Sequence, residues 1–191
     1  AELAKARDSG AEALFVFYPG AAGGAFAKQY NQAGLNKTLP LYSVFTVDAL
    51  SLPKLQAGNL EGVLGSRTTQ IWDPTLDNAA NKKFVADYKA KFGAYPSYYG
   101  AQSYDAIMLI ASAVKATGGD MANKDAVRAA LKAANYDSVR GKYTYGNNHF
   151  PIQNYYLREV IKDTGGVWST KVVDTVYKNN QDPFAAQCAM K

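Results

Sequence analysis

The residues with the most chemical potential lie around a glycine-rich turn. Leu14-Phe15-Val16-Phe17-Tyr18 reads as a strand and Ala25 to Ala33 as a helix, joined by Pro19-Gly20-Ala21-Ala22-Gly23-Gly24. Backbone N–H groups at a helix N-terminus, on the positive end of its dipole, favour an anion. No Lys-Ser/Thr follows the glycines, their spacing is not GxGxxG, and no acidic residue is placed for a ribose, so the nucleotide motifs are not met. A carboxylate suits the loop better, and simple close packing is the alternative. Arg67 could hold a carboxylate through two parallel hydrogen bonds; a salt bridge to a local Asp is the equal alternative. Trp72 could stack on a ligand or plug a gap between lobes. Tyr95, Tyr98 and Tyr99 could line a cleft, although hinge packing suits them better. His149, in Asn147-Asn148-His149-Phe150-Pro151, would need a nucleophile and an orienting acid to act as a base. No GxSxG motif supplies them, so a hydrogen-bonded turn is the simpler role. The chain has a single cysteine, Cys188, and a single histidine. Zinc sites need three or four ligands at set spacing. The reading is therefore a non-enzyme with no metal and no cofactor.

Alternating elements must position these residues. Glu2 to Ser9 reads as a helix stopped by Gly10. Strands are expected at Leu14–Tyr18, Leu39–Phe45 and Gly62–Ser66, with helices at Ala25–Ala33 and Ser51–Ala57 between them. Strand–helix alternation predicts right-handed crossovers and a parallel sheet, with the first strand buried on both faces. Ligands of such sheets sit beyond the C-terminal ends of the strands. Tyr18, Pro19, Gly20 and Ala21 fall at that end of the first strand, Phe45 and Thr46 of the second, and Arg67 and Thr68 of the third. These eight residues are the expected ligand-binding set. Arg67 to Asn78 reads as an irregular crossing segment.

Asn81 to Gly119 reads as an αα-hairpin. Phe84, Val85, Tyr88 and Phe92 recur at three- and four-residue steps, so they share a face. Gly93 suits a left-handed cap and Pro96 stops continuation. Tyr104, Ile107, Met108, Ala111 and Val114 stripe the second helix. A third helix spans Lys124–Ala134 with Asn123 as N-cap. Strands are expected at Gly141–Tyr145, Tyr155–Ile161 and Val167–Tyr177, the last two forming a hairpin around Lys162–Gly166.

The 191 residues carry a formal charge of +5. The lysines alternate with acids along solvated helix faces, so solubility explains the charge better than nucleic acid. No apolar run reaches the roughly 18 residues that suggest a membrane span. The first residues, AELAKARDSG, suggest a mature or trimmed N-terminus with its signal peptide removed.

Taken together, FVADYKAKFGAYPSYYGAQSYDAIMLIASAVKATGG, the preceding NAANKKF, KDAVRAAL, GKYTYGNNHFPIQNYYLREV and the first section GAEALFVFYPGAAGGAFAKQYNQAGL resemble the type I periplasmic solute-binding proteins of the branched-chain amino-acid transporter class. The resemblance implies two α/β lobes that close on a small-molecule solute and deliver it to an ABC permease in the inner membrane. It implies that this chain is the second half only. Residues 1–67 would belong to the C-terminal lobe and 68–78 would cross between lobes. Residues 79–138 would form the helical section of the N-terminal lobe, and 139–191 a crossing segment, returning strands and tail. The missing N-terminal half would leave the Phe84/Tyr88/Phe92 face exposed, open to dimerisation or swapping, and could hold a partner for Cys188. Amino-acid-binding members place an acidic residue just after the second strand; Phe45 stands at or beside that position. An aromatic carboxylate, similar to benzoate-like solutes, is the ligand that this departure suggests. The implied location is periplasmic. A ligand-sensing domain of a receptor or transcriptional regulator is the rival, and an α/β hydrolase-type enzyme the weaker one.

Overall fold

The computed structural model describes residues 2–188 and 190, so Ala1, Ala189 and Lys191 of the expected terminal segments lie outside the described residues. The chain divides into two compact units, 1–73 with 156–174 and 74–155 with 175–191. It passes between them three times, at 73–74, 155–156 and 174–175.

The first unit begins with α1 (Glu2–Asp8), β1 (Leu14–Phe17) and α2 (Ala21–Gln32), then β2 (Leu41–Val44), α3 (Leu52–Ala57) and β3 (Arg67–Gln70). β1 and β2 run parallel, Leu14 opposite Leu41 and Phe17 opposite Val44. β2 and β3 are also parallel, Ser43 opposite Thr68. The expectation of a parallel sheet holds for these three strands only. β5 (Pro151–Lys162) joins β3 antiparallel, with Thr68 opposite Arg158 and Arg67 opposite Glu159. β6 (Trp168–Asn180) returns beside β5.

Two sequence expectations fail in this unit. Glu61–Val63, overlapping the start of the expected third strand, is a 3₁₀ turn. Its Gly62 N–H donates to Asn31 Oδ1 at 2.7 Å, and a Cβ on Gly62 would collide with that amide. The chain then turns at Gly65 (φ 81) and the strand starts at Arg67, where β-branched Thr68 and Thr69 suit a pleated backbone. The first strand is buried on one face, not two. α2 and α3 bring Ala27, Tyr30, Leu52 and Leu55 against Val16, Leu41 and Val160 on that face. The other face carries Phe15 and Phe17, 71% and 58% exposed, beside Tyr42.

The second unit holds α4 (Ala79–Phe92), α5 (Tyr98–Ala116), α6 (Lys124–Ala133) and β4 (Thr144–Tyr145), with the first residues of β5 and the last of β6. Local caps fix the helix ends. Asn78, Ser97 and Asn123 side chains accept the N–H groups of Asn81, Gly100 and Ala126, and Gly93 closes α4 in the left-handed region. The expected exposure of the Phe84/Tyr88/Phe92 face holds in part: Phe84 is buried, Tyr88 half-buried and Phe92 exposed. The Phe84 ring centroid lies 4.9 Å from that of Tyr104 of α5, and the Tyr88 ring lies tilted between Phe84 and Phe92. Tyr104 thus covers Phe84, while Phe92 stays 59% exposed, and Ile107, Ile110 and Val114 of α5 add a further exposed apolar stripe.

A polar knot anchors the segment after α6. Asp105, 1% exposed, accepts from Ser138 Oγ at 2.6 Å, Val139 N–H at 3.0 Å and Arg140 Nε at 2.9 Å. Arg140 also donates to Gln153 and lies over the Tyr143 ring. Among the described residues no helix is long and apolar enough to cross a membrane.

Candidate functional site

The loops at the C-terminal ends of β1 and β2 are locked to each other. The Tyr18 N–H donates to Thr46 Oγ1 at 2.9 Å, and that hydroxyl donates back to the Val44 carbonyl at 3.2 Å. The turn between β1 and α2 is shorter than expected. Gly20 adopts φ 68, a region that side chains disfavour, and α2 begins at once, so Ala21 lies in its first turn and not in a loop. Gly23 is why the helix can start there. A Cβ on it would strike the Tyr18 carbonyl and come within 2.8 Å of the Thr46 carbonyl. Among the described residues no side chain caps the N-terminus of α2. Its Gly23 N–H turns back to the Gly20 carbonyl at 3.1 Å, which leaves the Ala21 and Ala22 N–H groups, with the dipole behind them, beside Gly20.

Aromatic rings surround this turn. Tyr18 stacks on Phe26 at 5.4 Å, and Phe26 on Tyr30 at 6.1 Å. Burial raises the Tyr30 hydroxyl's pKa, and that hydroxyl donates to the Leu39 carbonyl at 2.8 Å. Phe17 meets Phe45 edge to face at 5.8 Å. Phe45 holds φ 57. A non-glycine residue there carries roughly 1–2 kcal/mol of strain, and such outliers gather at functional sites. Asp48, the next acid along the loop, is engaged internally: its Oδ1 accepts the N–H groups of Leu50 and Ser51 at 2.8 and 3.2 Å.

Tyr18, Pro19, Gly20, Ala21, Phe45 and Thr46 therefore come together. Arg67 and Thr68 do not join them. The reassigned β3 places both at its N-terminal start, level with Tyr42 and Ser43 and away from the loop edge. Arg67 pairs with Glu159 of β5 at 2.6 Å, a salt bridge as in the alternative reading, but with a glutamate distant in sequence and not with a local Asp. Thr68 is 1% exposed beneath the sheet. The C-terminal end of β3 is instead Gln70 to Asp73, which the sequence reading took for crossing segment. The two β-branched residues Thr68 and Thr69 were the one weak signal for this strand. Trp72 is fully buried there and its carbonyl accepts from Arg158.

In the second unit, Tyr98 and Tyr99 stack at 3.9 Å, and Tyr95 lies under the Lys89 ammonium. His149 sits in a turn at φ 59, its N–H donating to the Gly146 carbonyl. Tyr136, Tyr143 and Tyr145 join through their hydroxyls, at 2.6 and 3.4 Å. Burial, then the bond to Tyr136, pushes Tyr143 up to about 12. Cys188 is a free thiol. Among the described residues no three His, Cys, Asp or Glu side chains gather to hold a metal ion.

Known proteins share this chain's sequence pattern and fold. Residues 1–165 match the family model described as periplasmic binding protein. The Leu/Ile/Val-binding protein homolog 6 of Brucella abortus strain 2308 is 32% identical over 193 aligned residues, covering 97% of this chain and 48% of its own length. A solute-binding protein of an ABC transporter from R. palustris, solved with benzoate, superposes with TM-score 0.84 at 29% identity, over 99% of this chain and 49% of that one. Another, from Rhodopseudomonas palustris BisB5, was solved with 3,4-dihydroxybenzoic acid; it gives TM-score 0.79 at 31% identity, over 95% and 49%. The chain thus spans about half the length of the relatives it matches, and its fold is the type I periplasmic-binding-protein fold.

Proposed function

The chain belongs to the periplasmic binding protein family, and from that premise we propose that it is the C-terminal half of an extracytoplasmic solute-binding protein that hands an aromatic carboxylate to an ABC permease. The loop after β2 carries the ligand class. It offers the Phe45 ring, held in a strained backbone beside Phe17, while the carboxylate of Asp48 caps Leu50 and Ser51. The loop's one carboxylate, Asp48, is already engaged by these N–H groups and by the nearby Arg158 guanidinium, so it is a poor counter-charge for a ligand ammonium. A flat ring finds aromatic faces and edges. The uncapped N-terminus of α2 supports the acid end of the ligand, since it offers backbone donors and a positive dipole. The relatives solved with benzoate and dihydroxybenzoic acid support the same class.

In this reading Tyr18, Pro19, Gly20, Ala21, Phe45 and Thr46 contact the solute. Arg67, engaged by Glu159, and Thr68, beneath the sheet, support β3. Affinity arises from burial as a second lobe, contributed by the remaining half of the same protein, closes over the ligand. The protein works in the periplasm as a binder and not as an enzyme. The test is uptake. Cells lacking the gene should lose import of labelled benzoate-type acids and keep import of leucine and valine. Loss of leucine or valine import with aromatic uptake intact would reject the ligand class.

A further inference from the structure

Across the buried face of the first unit's sheet, Ser43, Thr68 and Arg158 stand opposite one another on β2, β3 and β5. They are 2%, 1% and 4% exposed. Ser43 Oγ, Thr68 Oγ1 and Arg158 Nε each lack a hydrogen-bond partner among the described residues. Three contiguous unmet polar atoms are unusual, because buried polar groups are nearly always paired with protein or ordered water. Neighbouring strands lie about 4.8 Å apart, so Ser43 and Arg158 flank Thr68 at roughly twice that spacing from each other. The long Arg158 side chain and a bridging molecule together can span that gap, and the three atoms make no bond to one another. Arg158 is otherwise loosely held. It donates to the Trp72 carbonyl at 3.4 Å, and its nearest carboxylate oxygen, Asp73 Oδ2, is 3.9 Å away and takes the Thr170 hydroxyl at 2.6 Å.

We propose that Ser43 Oγ, Thr68 Oγ1 and Arg158 Nε form a binding site for an ordered internal water that ties β2, β3 and β5 together beneath the candidate ligand loops. Water fits the donor balance. It accepts from Arg158 Nε–H and donates to the two hydroxyl oxygens, the usual complement of about three bonds for a buried water. A halide or other anion fits poorly. Asp73 and Asp48 already act on this guanidinium, opposing the downward pull of burial on its pKa, so a further anion would face two carboxylates. The site is independent of which solute the protein carries. Its role is positioning: β2 leads directly into Phe45, and β3 leads into Trp72, whose carbonyl Arg158 holds.

A high-resolution crystal structure of the whole protein, with a second crystal soaked in bromide, tests this. The expected result is an ordered water within hydrogen-bond distance of Thr68 Oγ1 and of Ser43 Oγ or Arg158 Nε, with no bromide signal there. Direct bonds among the three side chains with no solvent between them, or bromide in the site, would overturn the proposal. Stability gives an independent sign test that needs no crystal. Thr68→Val keeps the shape and removes the hydroxyl. If water bridges the row, Val breaks the bridge and Tm falls by about 2–4 °C, while Thr68→Ser stays near the parent. If the hydroxyl is simply unpaired, Val removes a buried polar group at no loss, and Tm holds or rises.

Discussion

Each unit buries an arginine beside an aspartate, and the two pairs are built to different standards. In the second unit, Arg140 meets Asp105 at 2.9 Å, and Ser138, the Val139 N–H and Gln153 complete the knot. In the first, Arg158 stands 3.9 Å from Asp73 and keeps Nε without a partner. The same unit holds the strained Phe45 and the uncapped α2. The difference separates scaffold from site. Where polar groups are closed among themselves, the segment fixes geometry. Where donors and strain are left over, something besides this chain is expected to meet them.

The largest test of that contrast is Asp105→Ala. It leaves Arg140 buried without its carboxylate and should cost about 3–5 kcal/mol in urea unfolding. Asp73→Asn, against a guanidinium 3.9 Å away, should cost less, about 1–2 kcal/mol. Equal losses would erase the contrast.

Gly23→Ala comes next. The added methyl meets the Tyr18 and Thr46 carbonyls, so α2 must shift and stability should fall by about 1–3 kcal/mol. Ligand affinity in the full-length protein should fall at least about tenfold, about 1.4 kcal/mol. An affinity equal to the parent's would remove the α2 N-terminus from the site. Phe45→Asn separates binding from folding. Asparagine tolerates positive φ, so stability should stay within about 1 kcal/mol, while the lost ring weakens aromatic binding by about tenfold. A variant that unfolds yet binds normally when folded would make Phe45 structural.

How much of this was legible beforehand follows from how local each signal is. Asn123 and Gly93 mark helix ends through contacts a few residues away, so α4 and α6 read correctly from spacing alone. β3 did not. It is four residues long, all of them polar, and is made a strand by hydrogen bonds to β2 and β5, which its local sequence announces only weakly. Misplacing it carried Arg67 and Thr68 to the wrong end of the sheet. The pairing of Arg67 with Glu159 and the knot around Asp105 join residues far apart in sequence, so neither was visible. The Tyr18–Thr46 lock was half visible: both residues were placed at one edge, but the hydroxyl that joins them was not.

The smallest effect lies in alkali. Tyr143 is pushed up to about 12 by burial and its bond to Tyr136, whereas an unfolded tyrosine ionises near 10. The folded state therefore holds its proton longer. The stability this contributes is present in full below about pH 10 and is lost as pH rises towards 12. Tyr143→Phe should flatten that part of the pH–stability curve, and an unchanged curve would contradict the assignment.

The central claim is the ligand class. Isothermal titration of the full-length protein with benzoate, hydroxybenzoates, leucine and valine tests it most directly. Tight binding of an aromatic acid with no heat from leucine or valine is the predicted result. Tight leucine or valine binding with none for the aromatic acids would contradict it.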